Sequence, residues 1–305
     1  MILKNEDGKL NFIVSTQYAI AYPEKGASIV LNKLAYEIAI RGHNVYVFDE
    51  PYFPHENIKV IPTKLVEEDN PWKSKFIWEQ FSFPSHKTIS IYNQVTFGNP
   101  YNTIHNVRWV LHDFSQEQWN NFDKDDVIYN FGDFKVPENT KQSQLTVFDY
   151  KLDKFKNLNN SYRKGFCSLR QDGKTKTTPE NSEEFLKTFT SDDISDWYNK
   201  GGYNYLLETL NKYEYLITFE DKTYLTTIAA LCGTKSIILN NKNYSSPIDF
   251  RLKNPIQLFG VAYGLDDIGW ANKTINLVRE NIIELEKRDL MTVDNFIKYW
   301  EKKIL

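Results

Sequence analysis

Three cations, Arg163, Lys164 and Arg170, bracket a short apolar run over residues 165–169. A guanidinium matches phosphate oxygens in a bidentate fork. Fixed cations also stabilise the negative charge that builds on a nucleoside diphosphate as its bond to a transferred group breaks. On a solvated surface the same residues would have no such role, and their spacing fits both readings. A second constellation is the acidic turn at Glu220 and Asp221, followed by a helix that opens at Thr223 and Tyr224, with Thr223 as its expected cap. A strand predicted to end at Thr218 puts Glu220 at a carboxyl end, where open α/β sheets take their ligands. There a carboxylate can hold sugar hydroxyls while helix amides hold phosphate; alternatively the acids only complement the dipole of their own helix. The third is the loop over residues 16–26, which ends with Gly26 and leads into a helix beginning at Ala27 or Ser28. Such an end offers backbone N–H groups to an anion, or is a plain connection. A lone glycine without GxGxxG is no dinucleotide fingerprint.

Five histidines are scattered at positions 43, 55, 86, 105 and 112. His43 follows Gly42 in a turn and reads as structural. His105 and His112 fall near one face of a predicted helix; either could act as a general base, and a packed or surface role fits them too. The i, i+4 histidine pair of a helical metal site is absent, as are the Walker A loop and the GxSxG elbow. Cys167 and Cys232 are too few and too far apart for a disulfide framework or a CxxC pair, which fits a reducing compartment. No metal and no resident cofactor is expected. The first residues lack the apolar stretch of a signal peptide, and no apolar run approaches the ~18 residues of a membrane span. The expected location is the cytoplasm, and the sequons at Asn159, Asn243 and Asn272 read as chance in an Asn-rich chain.

These residues need elements to position them. Residues 11–15 form an apolar run typical of a buried strand. Leu31, Leu34, Ala35, Ile38 and Ala39 then recur at helical spacing, and Gly42 is a left-handed stop. Residues 44–48 are the next strand, so the start is a βαβ unit and predicts a parallel sheet. Further strands are expected at 59–61, 88–92, 126–130 and 145–148. Asn99 and Pro100 predict a helix start, with Val107, Val110 and Leu111 inward. Residues 62–86 read as an irregular insert with one helix. A polar stretch at 151–162 is the best linker candidate, and the pattern then restarts. Strands are expected at 165–169, 213–218 and 236–239, and helices at 181–190, 223–232 and 266–287. Val293, Phe296, Ile297, Trp300 and Ile304 mark one face of a last helix. Two βα halves joined by a linker predict an α/β protein with two Rossmann-like domains facing a cleft.

Composition bounds the answer. The chain has 305 residues, 41% hydrophobic and 25% charged, an ordinary globular mix long enough for two domains. Lysine and arginine number 37 against 40 acids, a net charge of −3, which argues against a nucleic-acid partner. Aromatics make up 15%, a content that suits cores and sugar-binding faces alike.

Several segments, in their order along the chain, resemble the GT-B glycosyltransferases. Residues 26–48 (GASIVLNKLAYEIAIRGHNVYVF) are similar to the first helix and second strand of that fold, and residues 228–238 (IAALCGTKSII) to a stretch of its donor domain. Gly98-Asn-Pro-Tyr-Asn102 with Arg108-Trp109, the run Arg163-x-Gly165-x-Cys167-x-x-Arg170, and residues 261–268 (VAYGLDDI) resemble uncharacterised glycosyltransferase-like proteins of bacterial surface-polysaccharide clusters and large DNA viruses. The resemblance touches both halves.

It implies an acceptor-side domain over residues 1–152, a nucleotide-sugar donor domain over 153–289, and a terminal helix, 290–305, that crosses back to the first domain. The implied activity moves a hexose or pentose from a UDP- or GDP-sugar to a hydroxyl of a glycan or similar acceptor, without a metal. The absence of a suitably placed DxD motif agrees with that. The diphosphate would meet Arg163, Lys164 or Arg170 and the helix end at Thr223 and Tyr224. Glu220, at the first acidic position of the family's E-x7-E pattern, would contact the sugar. Gly26, Gln94 and Asn99 would lie on the acceptor side, and Glu220, Arg170 and His105 are the catalytic candidates. In a viral setting the location would be the host cytoplasm. Two departures stand out. The second Glu of the pattern is Ile228, and Tyr92-Asn-Gln94 offers amides where an acid is expected of relatives. Retaining, inverting and catalytically degenerate glycan-binding versions all fit, and a nicotinamide oxidoreductase is disfavoured by the missing fingerprint.

Overall fold

The computed structural model describes residues 8–16, 26–48, 50–66, 75–78, 85–96, 98–112, 119–120, 122–132, 134, 136–138, 140–170, 188, 192–239 and 243–305. The chain is a mixed α/β protein with two parallel, Rossmann-like sheets. Its contacts gather into two units, Met1–Asp149 with Glu286–Leu305, and Tyr150–Leu285.

In unit 1 the strands are β1 (Asn11–Val14), β2 (Asn44–Phe48), β3 (Ile58–Ile61), β6 (Thr88–Asn93), β7 (His105–Val110), β8 (Val127–Asn130) and β9 (Gln142–Gln144). β4 (Thr63–Val66) and β5 (Lys75–Trp78) form a separate antiparallel hairpin. The sheet order is β3-β2-β1-β6-β7-β8-β9, with every pair parallel. β1, β2 and β6 are buried along their whole length, as expected of strands covered on both faces. Helix α1 (Gly26–Ile40) buries Ile29, Leu31, Leu34, Ala35 and Ile38, and Gly42 stops the chain beyond it at φ 93°.

Unit 2 contains β10 (Phe166–Leu169), β11 (Asp192–Asp193), β12 (Tyr215–Thr218), β13 (Lys235–Ile238) and β14 (Val261–Tyr263), in the order β11-β10-β12-β13-β14, again all parallel. Its helices are α2 (Gly202–Lys212), α3 (Leu225–Leu231), α4 (Pro247–Lys253) and α5 (Ile268–Thr274). Helix α6 (Val278–Ile304) belongs to unit 2 up to Leu285 and to unit 1 from Glu286. Its buried stripe runs Val278, Ile282, Leu285, Asp289, Val293, Phe296, Ile297, Trp300, the 3.6-residue period of an amphipathic helix. No helix among the described residues is long and apolar enough to cross a membrane.

Several expected elements differ. Residues 99–111 are no helix. Asn99 accepts the Thr103 N–H on its side-chain oxygen at 3.3 Å, and its carbonyl takes the Asn102 N–H at 3.0 Å, which makes a Pro-containing turn that leads into β7. The apolar positions of 107–110 fit period 2 as well as helical spacing, a known ambiguity of short runs. The strand expected at 145–148 lies earlier, at β9; Leu145, Val147 and Phe148 stay buried, and Thr146 instead hands its N–H to Thr292 on α6 at 2.9 Å. The helix expected over 266–287 is divided. Thr274 bonds back to the Trp270 carbonyl at 2.8 Å and accepts the Gly260 N–H at 3.1 Å, which ends α5. Conversely nothing in residues 288–292 breaks a helix, so the last two predicted helices are one α6. The stretch 151–162 is no free linker, since Phe155 is fully buried and the Leu158 N–H bonds Asn211 at 2.8 Å. In the 62–86 insert the described elements are the hairpin and a short 3-10 turn at Ser85–Lys87. The helix expected at 181–190 lies outside the described residues, Thr188 apart, as does most of the 16–26 loop.

Candidate functional site

In unit 2 the strand order reverses between β10 and β12, with β11 on one side and β13 and β14 on the other. Such a topological switch opens a crevice beyond the carboxyl ends of the strands. Leu169 pairs in register with Thr218, so Arg170 leaves the sheet beside Phe219 and Glu220. The Arg170 N–H donates to Ser195 Oγ at 2.5 Å, and that hydroxyl donates to Asp193 Oδ1, also at 2.5 Å. Asp193 Oδ2 lies 3.5 Å from Arg170 Nε, an ion pair too long for a hydrogen bond, and among the described residues the buried Nε has no hydrogen-bond partner.

Glu220 is half-buried, and its N–H donates to Thr218 Oγ1 at 3.0 Å. Next to it Asp221 is buried and accepts from Asn243 at 2.7 Å, which ties the loops after β12 and β13 together. Thr223 is buried; its hydroxyl takes the Leu225 N–H at 3.3 Å, and its carbonyl takes the Thr226 hydroxyl at 2.9 Å. The residue before α3 is Tyr224, in helical conformation and without a side-chain cap, rather than Thr223. Arg170, Glu220, Thr223 and Tyr224 thus gather at one edge of the sheet.

Arg163 and Lys164 do not join them. They precede β10, so they stand at the amino edge, and about 13 Å of strand separates the two ends. Arg163 is occupied by the chain itself. Nη1 donates to the carbonyls of Leu210 at 2.8 Å and Tyr213 at 3.3 Å and to Thr234 Oγ1 at 3.0 Å. Nη2 donates to Asn157 and Asn211 at 2.9 and 2.7 Å and to the Cys232 carbonyl. These acceptors close the carboxyl ends of α2 and α3, whose last carbonyls have no partner within the helix. Burial pulls the Arg163 pKa down. Its geometry is that of a structural clamp. Lys164 is exposed, on the same edge.

In unit 1 the switch lies between β1 and β6. Gly26 opens α1, and a Cβ there would meet nothing within 4 Å. Gln94 is buried and its Oε1 accepts the Leu111 N–H at 3.0 Å, which pins the end of β6 to the end of β7. Asn99 is exposed, and its side chain is engaged by Tyr92 Oη at 2.8 Å and the Thr103 carbonyl at 2.7 Å. His105, expected on a helix, is the first residue of β7. It therefore sits at the amino edge, about 16 Å of strand from the carboxyl ends, with its ring 5.6 Å from that of Trp300. Burial and Lys303 hold its pKa down. This position takes His105 away from any reaction at the carboxyl edge of its own sheet.

Sequence reasoning missed Asp193 and Ser195, the partners of Arg170, and the Asn243 tether. Their signal was an Asp-x-Ser turn, where a side chain caps the backbone two residues on. Among the described residues no group of three or more His, Cys, Asp or Glu is placed to hold a metal ion. Cys167 and Cys232 are free and buried, and burial pushes each thiol up to about 12, which leaves both unreactive.

No protein-family model matches the chain, and no curated protein matches it. Among solved structures it is similar to a dipicolinate synthase protein from Bacillus halodurans, with 8% identity over 92% of this chain and 98% of that one, at a TM-score of 0.21. At that score the likeness carries no argument about fold or site.

Proposed function

We propose that the chain is a metal-independent glycosyltransferase of the GT-B class, a hexosyl- or pentosyltransferase of polysaccharide synthesis in the cytoplasm. Its donor is a UDP- or GDP-sugar bound by unit 2, and its acceptor is a glycan or similar hydroxyl compound bound by unit 1. The observation that supports this most is the pairing of Leu169 with Thr218, which brings an arginine and a carboxylate to the two sides of one switch point. In this reading Arg170 meets the diphosphate as its bond to the sugar breaks. Glu220 holds sugar hydroxyls, Thr223 and Tyr224 line the same edge, and the bond to the acceptor oxygen forms on a substrate held in place.

A second reading is a catalytically degenerate protein that keeps glycan binding. It is favoured by Ile228, which is buried within α3 where the family pattern has an acid, and by Gln94, whose oxygen is engaged by the backbone.

A thermal-shift panel of UDP, GDP, ADP, CMP, UDP- and GDP-sugars and NAD separates them. A nucleotide at 100 times its dissociation constant adds about 2.7 kcal/mol, or about 5 °C or more in a domain of this size. The transferase reading expects that shift with one nucleoside diphosphate and its loss in Arg170→Ala. A flat response to every nucleotide sinks it in favour of the second reading.

A further inference from the structure

Helix α6 sorts its charges by face. Beyond Arg288 its acids are Asp289, Asp294 and Glu301. Asp289 is buried, Asp294 pairs with Arg41 at 2.6 Å, and Glu301 lies 3.4 Å from His43 Nε2. The cations of the same stretch turn the other way. Arg288, Met291, Asn295, Lys298 and Lys302 follow at i, i+3, i+7, i+10 and i+14, one face of a 3.6-residue helix, and all are exposed. The stripe is about 21 Å long.

Tyr299 and Lys303, also exposed, flank it. The Lys303 ammonium lies 4.8 Å from the Trp300 ring centre and 5.7 Å from that of Tyr299, a contact that keeps a cation beside an exposed ring. Met291 is 62% and Tyr299 44% exposed. Residues 243–305 are described without a gap, so the charge on this face of the helix is read residue by residue. Glu284, one turn before Arg288 on the same face, bounds the stripe. The chain as a whole is net −3, so a helix face with Arg288, Lys298, Lys302 and Lys303 and no acid between them is a local segregation of charge.

We propose that this face of α6 docks on an anionic lipid surface. A cluster of Lys and Arg on an amphipathic helix is drawn to the negative potential of acidic headgroups, within about a Debye length. Met291 and Tyr299 favour a bilayer over a nucleic acid. A phosphate backbone takes the cations and leaves an exposed Met in water, whereas the headgroup boundary accepts apolar and aromatic side chains among the cations. The apolar stripe of α6 itself is packed in the protein, so the contact is peripheral, reversible and salt-sensitive. It involves no reaction and stands apart from the transfer reading.

The test is sedimentation of the full chain with phosphatidylcholine vesicles, plain or containing about one-third phosphatidylglycerol. Retention is expected on the anionic vesicles alone and is expected to fall in about 0.5 M salt, where the Debye length is short. Arg288→Gln, Lys298→Gln and Lys302→Gln combined should weaken binding about a hundredfold, at roughly fivefold per cation, with the melting temperature unchanged because all three side chains are exposed. Lys124→Gln, Lys141→Gln and Lys156→Gln combined remove the same charge from exposed sites off the helix and should leave binding at the wild-type level. No retention on anionic vesicles (duplex DNA bound in their place included), equal retention on neutral ones, or an equal loss in the two triple variants overturns the proposal.

Discussion

Arg108 in unit 1 lies inside strand β7 and Arg170 in unit 2 just past the end of β10, with opposite outcomes. Arg108 is fully buried. Its Nε donates to Asp126 at 2.6 Å, Nη1 to the Thr96 carbonyl at 2.6 Å and Nη2 to the Gly98 carbonyl, and the guanidinium carbon lies 4.6 Å from the Tyr92 ring centre. The adjoining switch is closed by rings, with Phe48, Tyr101 and Tyr92 stacked at 5.3 and 5.0 Å. Among the described residues the Arg170 side chain has one long ion pair, with Asp193 at 3.5 Å. Residue type is alike; position in the strand differs, and so does the number of acceptors the described chain brings. An arginine held at all three nitrogens by the fold's own carbonyls and carboxylate, as Arg108 is, serves the structure.

Variants can break or sharpen that contrast. Arg108→Ala leaves Asp126 as a buried carboxylate without its cation, so a loss of about 3–5 kcal/mol is expected in urea unfolding. A loss below 1 kcal/mol would erase the contrast. Arg163→Ala opens the ends of α2 and α3 and is expected to remove about 2–3 kcal/mol, with Arg163→Lys no rescue because an ammonium cannot span the same fork. If instead Arg163→Ala melts normally and abolishes nucleotide binding, the clamp assignment fails.

Asp289 extends the comparison to acids. It sits on the buried stripe of α6, and burial pushes its pKa up to about 7. A carboxyl whose folded value lies above its unfolded one favours the fold when protonated, so stability falls as pH rises from about 4 to 7. Asp289→Asn should therefore stabilise by on the order of 2 kcal/mol at pH 8 and by little near pH 4; melts at the two pH values check the slope. Ser246→Ala removes the cap that accepts the Asp249 N–H at 3.1 Å and should cost about 1 kcal/mol in thermal unfolding. The smallest stability change, within about 0.5 kcal/mol, is expected for Arg170→Ala, the variant expected to abolish the nucleotide shift.

Much of the fold was legible. The apolar runs of β1, β2 and β12 and the helical period of α1 are written in consecutive residues. α2 and α4 are legible too: Tyr203, Leu206, Leu207 and Leu210 have helical spacing, and Ser246-Pro247 with Asp249 is a capping signature. The strand β7 was not legible, because Val107, Trp109 and Val110 satisfy two periods and only pairing with β6 and β8 chooses between them.

By itself the sequence determined the local matters: which segments bury apolar faces, where Gly42 stops a helix, that two βα halves follow each other, and which residues could carry charge to a ligand. Tertiary structure alone decided which of those charges share a place. Arg163, Lys164 and Arg170 are near neighbours in the chain, yet a strand between them sends two to one edge of the sheet and one to the other, while Glu220, fifty residues away, comes beside Arg170 through the β10–β12 register. A strand's rise separates sequence neighbours and its hydrogen bonds join distant ones. Spacing along the chain therefore records chemistry, and only the register of the sheet records company.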